Sequence, residues 1–377
     1  MEASPEAPPD LSSREWGFLF FDEGGMRRHR SFYSPGELAD YVRSMVPRHV
    51  YHSAAYYGRP AAPTMKEKAW QGADLIFDLD ADHLRNAPRS YGEMLSQVKA
   101  ETQKLLGFLM ADFGFSEKLI SIVFSGGRGY HIHVRDPRVL SLGGDERREI
   151  VDYLTGRGLD VNRLSYRVRL SGDVGSDNVR ALRCPPENSP GWGGRFNSAI
   201  VKFAEEIREM DEKSALDRLT KIKGIGEVRA VEFYNRIKRD LVLDDIRSGN
   251  LDSLKNLQGI WRYVIDHYLA AQFVEVLGGE TDEPVTADVR RLIRCPGSLH
   301  GGSGLRVTSL SLRDMEDFDP LYDAVVFGDE PLPLQMLRPF KTEMKGQRYD
   351  LAEGPEELSA CVAIFLMARG VAVARAR

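Results

Sequence analysis

Apolar and polar positions along the chain follow two rhythms, and their alternation sets the expected architecture. Residues 16–21, 73–80, 119–125 and 130–135 are short apolar runs that stop at Gly, Asp or Pro clusters, the pattern of strands. Around them, residues 34–46 and 91–113 repeat apolar side chains at the spacing of amphipathic helices. Strands interleaved with helices predict a mixed α/β (α+β) fold, a mixed sheet with helices packed against it. From about residue 197 to 275 the texture changes: charged, Leu/Ile-periodic and poor in β-branched runs, this stretch reads as a helical subdomain inserted within the rest of 1–377. Residues 1–11 are Pro- and acid-rich and are expected to be disordered. The apolar stretch 358–370 reads as a helix docked back on the body.

The chemistry sits at the strand ends. The run Ala73-Asp74-Leu75-Ile76-Phe77-Asp78-Leu79-Asp80-Ala81-Asp82 ends in an acidic repeat. A strand turns alternate side chains to one face, so Asp78 and Asp80 point the same way while Phe77 and Leu79 face the core. Paired carboxylates at a strand end offer the hard oxygen ligands that Mg²⁺ and Mn²⁺ prefer, with positions left for phosphate. An exposed Asp-x-Asp at a strand-to-loop junction is the competing reading, and Asp74 and Asp82 read as solvated flanks. Some forty residues on, Ile122-Val123-Phe124-Ser125-Gly126-Gly127-Arg128-Gly129-Tyr130-His131-Ile132-His133-Val134 reads as two strands joined by a Gly-rich turn. Glycines admit a phosphate close to the backbone, and Arg128 and His131 supply donors. His133 reads equally well as a histidine on a wet outer face. Neither the P-loop pattern nor the dinucleotide Gly-x-Gly-x-x-Gly is present, so neither site is expected. A third cluster, Thr281 to Val307, runs from acids through Arg290, Arg291 and Arg294 to Cys295-Pro296-Gly297-Ser298-Leu299-His300.

Asp78-Leu79-Asp80, Ser125-Gly126-Gly127-Arg128-Gly129-Tyr130-His131, and Asp282 followed by Arg294 to His300 resemble the three catalytic motifs of the archaeal/eukaryotic-type DNA primase small subunit. The resemblance extends in order through Arg14-Glu15-Trp16-Gly17-Phe18, Met65 to Trp70, and Phe318 to Phe327, most of the chain. It implies the prim fold and a two-metal nucleotidyltransferase that makes short RNA or DNA primers on single-stranded DNA from NTPs or dNTPs. It also implies Asp78, Asp80 and Asp282 as catalytic ligands of Mg²⁺ or Mn²⁺, two cations that would clamp the attacking and leaving oxygens. Asp288 and Glu283 are rivals for the third place; Asp282 is preferred because it lies eighteen residues before His300, as the family has it. Asp288 is expected to cap or to pair with Arg290 or Arg291. Ser125, Arg128 and His131 are implied as triphosphate contacts, with Arg294 and His300 as a second set and Arg28 as a further nucleotide contact. Arg28 could instead be the tip of a basic hairpin. A large subunit bearing an iron–sulfur cluster is the implied partner, in a cytoplasmic, nucleoid-associated primosome. Stand-alone primase-polymerases and end-joining polymerases of the same superfamily are the nearest alternative; an inert assembly subunit is the alternative of a different class.

Composition narrows this picture. With 377 residues and 42% hydrophobic residues, the chain can bury a sizeable core in one large domain or two. Many relatives carry a zinc cluster of Cys and His after the acidic strand, but only Cys184, Cys295 and Cys361 occur here and none lies near that strand, so no structural zinc is expected. Three widely spaced cysteines read as buried or free thiols rather than a disulfide framework. No signal peptide or membrane-spanning run is recognisable, which predicts a soluble intracellular protein. A net charge of −5 implies weak intrinsic affinity for duplex DNA. Arg157, Arg163, Arg167, Arg169, Arg180 and Arg183, and again Arg290, Arg291 and Arg294, are local basic groups that could track a template. Lys221 to Val228 resembles the turn of a helix-hairpin-helix, with a plain connector as the competing reading.

Overall fold

In the computed structural model, residues 5–21, 24–84, 88, 90–169, 180–252, 258–269 and 281–375 are described. They divide into two compact units: residues 1–106, 115–151 and 280–377, and residues 107–114 and 152–279. In chain order the described elements begin with β1 (Trp16–Leu19), β2 (Arg27–Arg30), α1 (Pro35–Met45), β3 (His49–Ser53), β4 (Ala55–Tyr57), α2 (Met65–Lys68), β5 (Trp70–Ala73) and β6 (Leu75–Asp80). Then come α3 (Tyr91–Ala111), β7 (Ile120–Phe124), β8 (Gly129–Val134), α4 (Gly144–Thr155), β9 (Tyr166–Arg169), β10 (Arg180–Arg183) and the helices α5 (Gly191–Glu209), α6 (Glu212–Thr220), α7 (Glu227–Ile237), α8 (Asp240–Arg247) and α9 (Gln258–Val264). The chain continues through β11 (Leu292–Arg294), β12 (Thr308–Leu310), β13 (Pro331–Met336), β14 (Phe340–Met344), β15 (Gln347–Leu351), β16 (Gly354–Ser359), a helix over Ala360–Ala368, and β17 (Ala372–Ala374).

The expected α/β mixture is present, but its strands are shared among several sheets, and every described pairing is antiparallel. Short turns such as Ser125–Arg128 return the chain beside itself, and that geometry makes hairpins rather than parallel crossovers. In the first unit, one four-stranded sheet has the order β11-β3-β1-β2 and another β12-β7-β8-β6. Ala54, Ile76, Val285 and Ile293 form a buried cluster between them, and His52 of β3 stacks on His133 of β8 with ring centres 6.2 Å apart. Trp16, Phe18, Phe32, Leu38 and Val50 form a second buried cluster, and the pairing of Trp16 with His52 and of Phe18 with Val50 puts these strand side chains on the same face of the first sheet as His52. Helix α1 starts where the pattern predicts: the Ser34 side chain accepts from the Glu37 N–H at 3.2 Å, Pro35 opens the first turn, and Val46 ends it in the left-handed region.

Three expectations are corrected here. Residues 1–4 lie outside the described residues, but 5–11 are held: the Glu6 N–H donates to the Pro296 carbonyl at 2.8 Å, and Leu11 is buried in the core. Proline-rich composition did not prevent order because the segment finds backbone partners in the β11 region. Asp74 is no solvated flank. It is fully buried, with Arg14 at 3.0 Å, the Tyr56 hydroxyl donating at 2.5 Å and Arg135 Nε at 3.2 Å. Burial by itself would raise its pKa, but His133, Arg14 and Arg135 outweigh it and hold the carboxyl below the ordinary range. Nor is His133 wet: 1% exposed, it lies between the two sheets beside Asp74, so β8 is buried on both faces.

The second unit takes in 152–196 as well as the stretch from 197 whose texture is helical. Helices α5 to α8 bury Phe196, Ile200, Phe203, Leu219, Phe233 and Ile246. Between α6 and α7, Ile222 and Ile225 are buried, and Gly224 has φ +93° with the Tyr263 ring where a Cβ would fall, at 2.3 Å. Glycine is required there by close approach as well as by conformation. Cys184, Cys295 and Cys361 are buried, with free thiols. Among the described residues, no helix is long and apolar enough to cross a membrane.

Candidate active site

Strand β6 behaves as its alternation predicts. Phe77 and Leu79 are buried, while Asp78 and Asp80 are partly exposed on the opposite face. Pairing with β8 sets Asp78 opposite His131 and Asp80 opposite Gly129. His131 Nε2 comes within 3.6 Å of Asp78 Oδ1. Beyond β6 the Asp80 carboxylate accepts from the Asp82 N–H at 3.1 Å, which opens a short 3₁₀ turn. Arg128 reaches back from the Gly-rich turn to Asp80, at 3.5 Å, and pairs with Asp82.

The turn is closed by its own residues. The Ser125 N–H donates to the Gly129 carbonyl at 2.9 Å, and Ser125 Oγ accepts from the N–H groups of Gly127 and Gly129, both at 3.3 Å. Gly126 has φ +73°, and a Cβ there would stand 2.7 Å from the Cβ of His300. This contact places the Ser298–His300 turn directly against the Gly-rich turn.

Asp282 arrives through its backbone. Its N–H donates to the Asp78 carbonyl at 2.9 Å, and the Thr281 hydroxyl donates to the same oxygen at 3.2 Å. Asp282 then opens the short helix Glu283–Ala287 without its side chain capping it. Asp288 accepts from the Arg290 N–H at 2.9 Å, as expected, and Glu283 lies 3.6 Å from Arg148. Among the described residues, no three His, Cys, Asp or Glu side chains gather as a ready metal cluster. Like charges crowd poorly, and Asp78 and Asp80 instead face His131 and Arg128.

Arg294 sits on β11 opposite Tyr51 of β3, with its guanidinium 5.2 Å from the Tyr51 ring centre. Its Nη1 donates to His49 Nδ1 at 2.7 Å, and the Gly301 N–H approaches the same nitrogen at 3.3 Å. His49 Nδ1 is therefore an acceptor and the ring is neutral. Burial first, then the charges of Arg294 and Arg48, push its pKa down to about 4. His300 has the same character: its Nδ1 accepts from the Gly302 N–H at 3.1 Å, which leaves the proton on Nε2. Burial, followed by the charges of Arg294 and His49, pushes the His300 pKa down to about 2 and keeps the ring neutral. His131 is likewise held neutral, chiefly by burial.

These side chains line one cavity of about 210 Å³, formed by Asp78, Asp80, Ser125, Gly127, Arg128, His131, Arg294, His300, Gly302 and Arg369. Seven of the nine residues singled out from the sequence meet there. Asp282 adjoins it through the Asp78 backbone. Arg28 does not line it; its guanidinium pairs with the buried Glu15 at 3.1 Å, and Glu15 also holds the buried Lys68 at 3.4 Å. Sequence reasoning missed His49, Tyr51 and Arg369. The alternation His49-Val50-Tyr51 marks His49 and Tyr51 as sharing a face, but only the pairing of β3 with β11 shows what they orient.

The sequence matches the DNA primase small subunit family over residues 77–312. The chain belongs to that family. It is 57% identical to a DNA primase small subunit of Methanothrix thermoacetophila over 99% of this chain and 95% of the relative. A DNA primase small subunit of Methanococcoides burtonii is 48% identical over 97% of this chain and 93% of the relative, and one of Methanocella arvoryzae is 48% identical over the same shares. The family match spans all three motif clusters, so the primase resemblance read from those motifs holds for the chain as a whole.

Proposed function

We propose that this chain is the catalytic subunit of an archaeal-type DNA primase, a nucleotidyltransferase that builds short primers on single-stranded DNA from nucleoside triphosphates. The observation that carries the reading is the cavity in which two carboxylates of one strand face Arg128, Arg294, His131 and His300. Hard anionic oxygens on one side and guanidinium and imidazole donors on the other suit a metal-bound triphosphate better than a neutral ligand.

Asp78 and Asp80, with Asp282 tied to the Asp78 backbone, have the chemistry to hold Mg²⁺ or Mn²⁺. Ions bound there would supply Lewis-acid stabilisation of the reacting phosphate oxygens. Arg294, seated on Tyr51 and His49, is preorganised to meet phosphate without reorganising. The neutral His300 offers its Nε2–H as a donor. Arg128 exchanges its carboxylate partners for phosphate when a triphosphate enters. The reaction joins a 3′ oxygen to the α-phosphate and releases pyrophosphate, so positioning and charge are most of the catalysis. The relatives' name, small subunit, supports a larger partner; the iron–sulfur cluster implied for that partner is part of this reading.

Template contact is proposed at the β9–β10 hairpin. Its pairing puts Arg169 directly opposite Arg180, with Arg167 two residues along the same strand face. Like charges set opposite each other destabilise a sheet unless an anion lies across them. Arg157, Arg163 and Arg183 are engaged by Asp152, Asp160 and Asn250.

Primer synthesis on a single-stranded template with Mg²⁺ or Mn²⁺, with and without the large subunit, tests the reading. Asp80→Ala and Asp282→Ala are each expected to lose about a thousandfold or more in rate while keeping the unfolding midpoint. Activity retained by Asp282→Ala would transfer the third ligand to Asp288. A wild-type chain silent even with its partner would leave an inert assembly subunit.

A further inference from the structure

The C-terminal helix Ala360–Ala368 ends at Arg369, far beyond residues 77–312 where the family match lies. The helix itself is apolar and packs into the core, as its pattern predicts. Arg369 is different. Its guanidinium lies over the Tyr91 ring, 4.4 Å from the ring centre, and 4.9 Å from that of Phe365. Tyr91 in turn donates its hydroxyl to the Gly127 carbonyl of the Gly-rich turn. The end of the helix is thus tied through Tyr91 to the turn that carries Arg128.

Among the described residues, two donors of this guanidinium, Nε and Nη2, are shielded from solvent and meet no hydrogen-bond acceptor in good geometry, the Tyr91 side chain being a polar group that interacts with the guanidinium electrostatically. Leaving buried donors of a charged group unsatisfied is costly, so such donors mark a place where an anion, a ligand or an ordered water completes the bonds. Arg369 lines the same cavity as Arg128, Arg294 and His300, and its charge is among those that push the His300 pKa down. The adjoining Tyr91 and Phe365 rings seat the fork, which cuts the entropy lost when it binds.

We propose that Arg369 is a third guanidinium for the polyphosphate of the incoming nucleotide, acting with Arg128 and Arg294. The inference rests on the nucleotide-binding reading above and adds to it a residue contributed by the last helix. Arg369 touches the phosphates and takes no part in proton transfer, so its loss weakens triphosphate binding more than binding of a nucleotide with fewer phosphates.

Titration of the full chain with ATP and with AMP, in Mg²⁺, tests this in the wild type, Arg369→Met and Arg294→Met, beside the unfolding midpoint of each ligand-free protein. Arg369→Met keeps the stem on Tyr91 and Phe365, so the midpoint should stay close to wild type. ATP affinity is expected to fall about 10- to 100-fold, the range for a charged hydrogen bond, with AMP affinity nearly unchanged. Arg369→Lys, which restores the charge without the fork, should recover part of the loss. Should Arg369→Met lower the midpoint, Arg369→Gln on the same stem replaces it. Unchanged ATP affinity in Arg369→Met while Arg294→Met loses it, or equal losses for ATP and AMP, would overturn the role of Arg369 alone. A wild type that binds ATP no better than AMP would overturn the nucleotide-binding reading beneath it.

Discussion

Asp74 and Asp78 stand four residues apart on the same side of one segment, yet they have different tasks. Asp78 lies at a cavity edge beside His131, whereas Asp74 is fully buried among Arg14, Arg135 and the Tyr56 hydroxyl. Parity along the strand reads equally for both; the difference is set by Arg14, sixty residues away in sequence. Asp74→Asn leaves two guanidiniums near an uncharged group and should cost about 3–5 kcal/mol, read as a lower denaturant midpoint at unchanged slope. The sign with pH follows from its depressed pKa. Its contribution is complete above the ordinary carboxylate range and is lost as pH falls through the lower folded value. Arg28 shows the opposite limit of reading residues singly: its position in the motif order suggested a nucleotide contact, while the fold gives it Glu15.

At the scale of elements, the histidines show how sheet packing sets chemistry. His52 on β3 and His133 on β8 stack where the two sheets meet, and burial lowers the pKa of both. The unfolded chain protonates them near pH 6.5 and the folded chain only at lower pH. Stability therefore falls as pH drops below about 6.5, by up to roughly 1.4 kcal/mol per pH unit for each ring. His52→Phe should flatten the decline measured by denaturation between pH 6.5 and 5; an unchanged slope would mean that His52 takes up its proton in the folded chain. Turns are as demanding as strands. Gly126→Ala meets both a positive φ and the His300 Cβ, so it should destabilise the chain by about 1–2 kcal/mol and also raise the nucleotide KM. Gly114→Ala, at φ +66° with nothing within 4 Å, should show the strain without the KM change. The hairpin β7–β8 was legible as two apolar runs around glycines, but the second sheet that covers it depends on β11, more than 150 residues later.

Across the whole molecule, a chain of net charge −5 has to hold nucleic acid through local basic surface. If Arg169 and Arg180 each neutralise one template phosphate, the double variant Arg169→Ala/Arg180→Ala should reduce the slope of log affinity against log salt for a labelled single-stranded oligonucleotide by about 1.4. A slope equal to wild type would remove the hairpin from the template path. The sequence by itself determined the α/β class, the Asp78 and Asp80 pair, the Gly-rich turn and the membership of the primase small subunit family. These are local matters: strand period, turn chemistry and motif order are written within a few residues of one another. Only the tertiary structure decided that Asp74 and His133 are buried, that Arg28 belongs to Glu15, and that His49, Tyr51 and Arg369 share in the site. Those assignments depend on which strands pair and which faces meet, and side chains tens to hundreds of residues apart become neighbours only when the sheets close over each other.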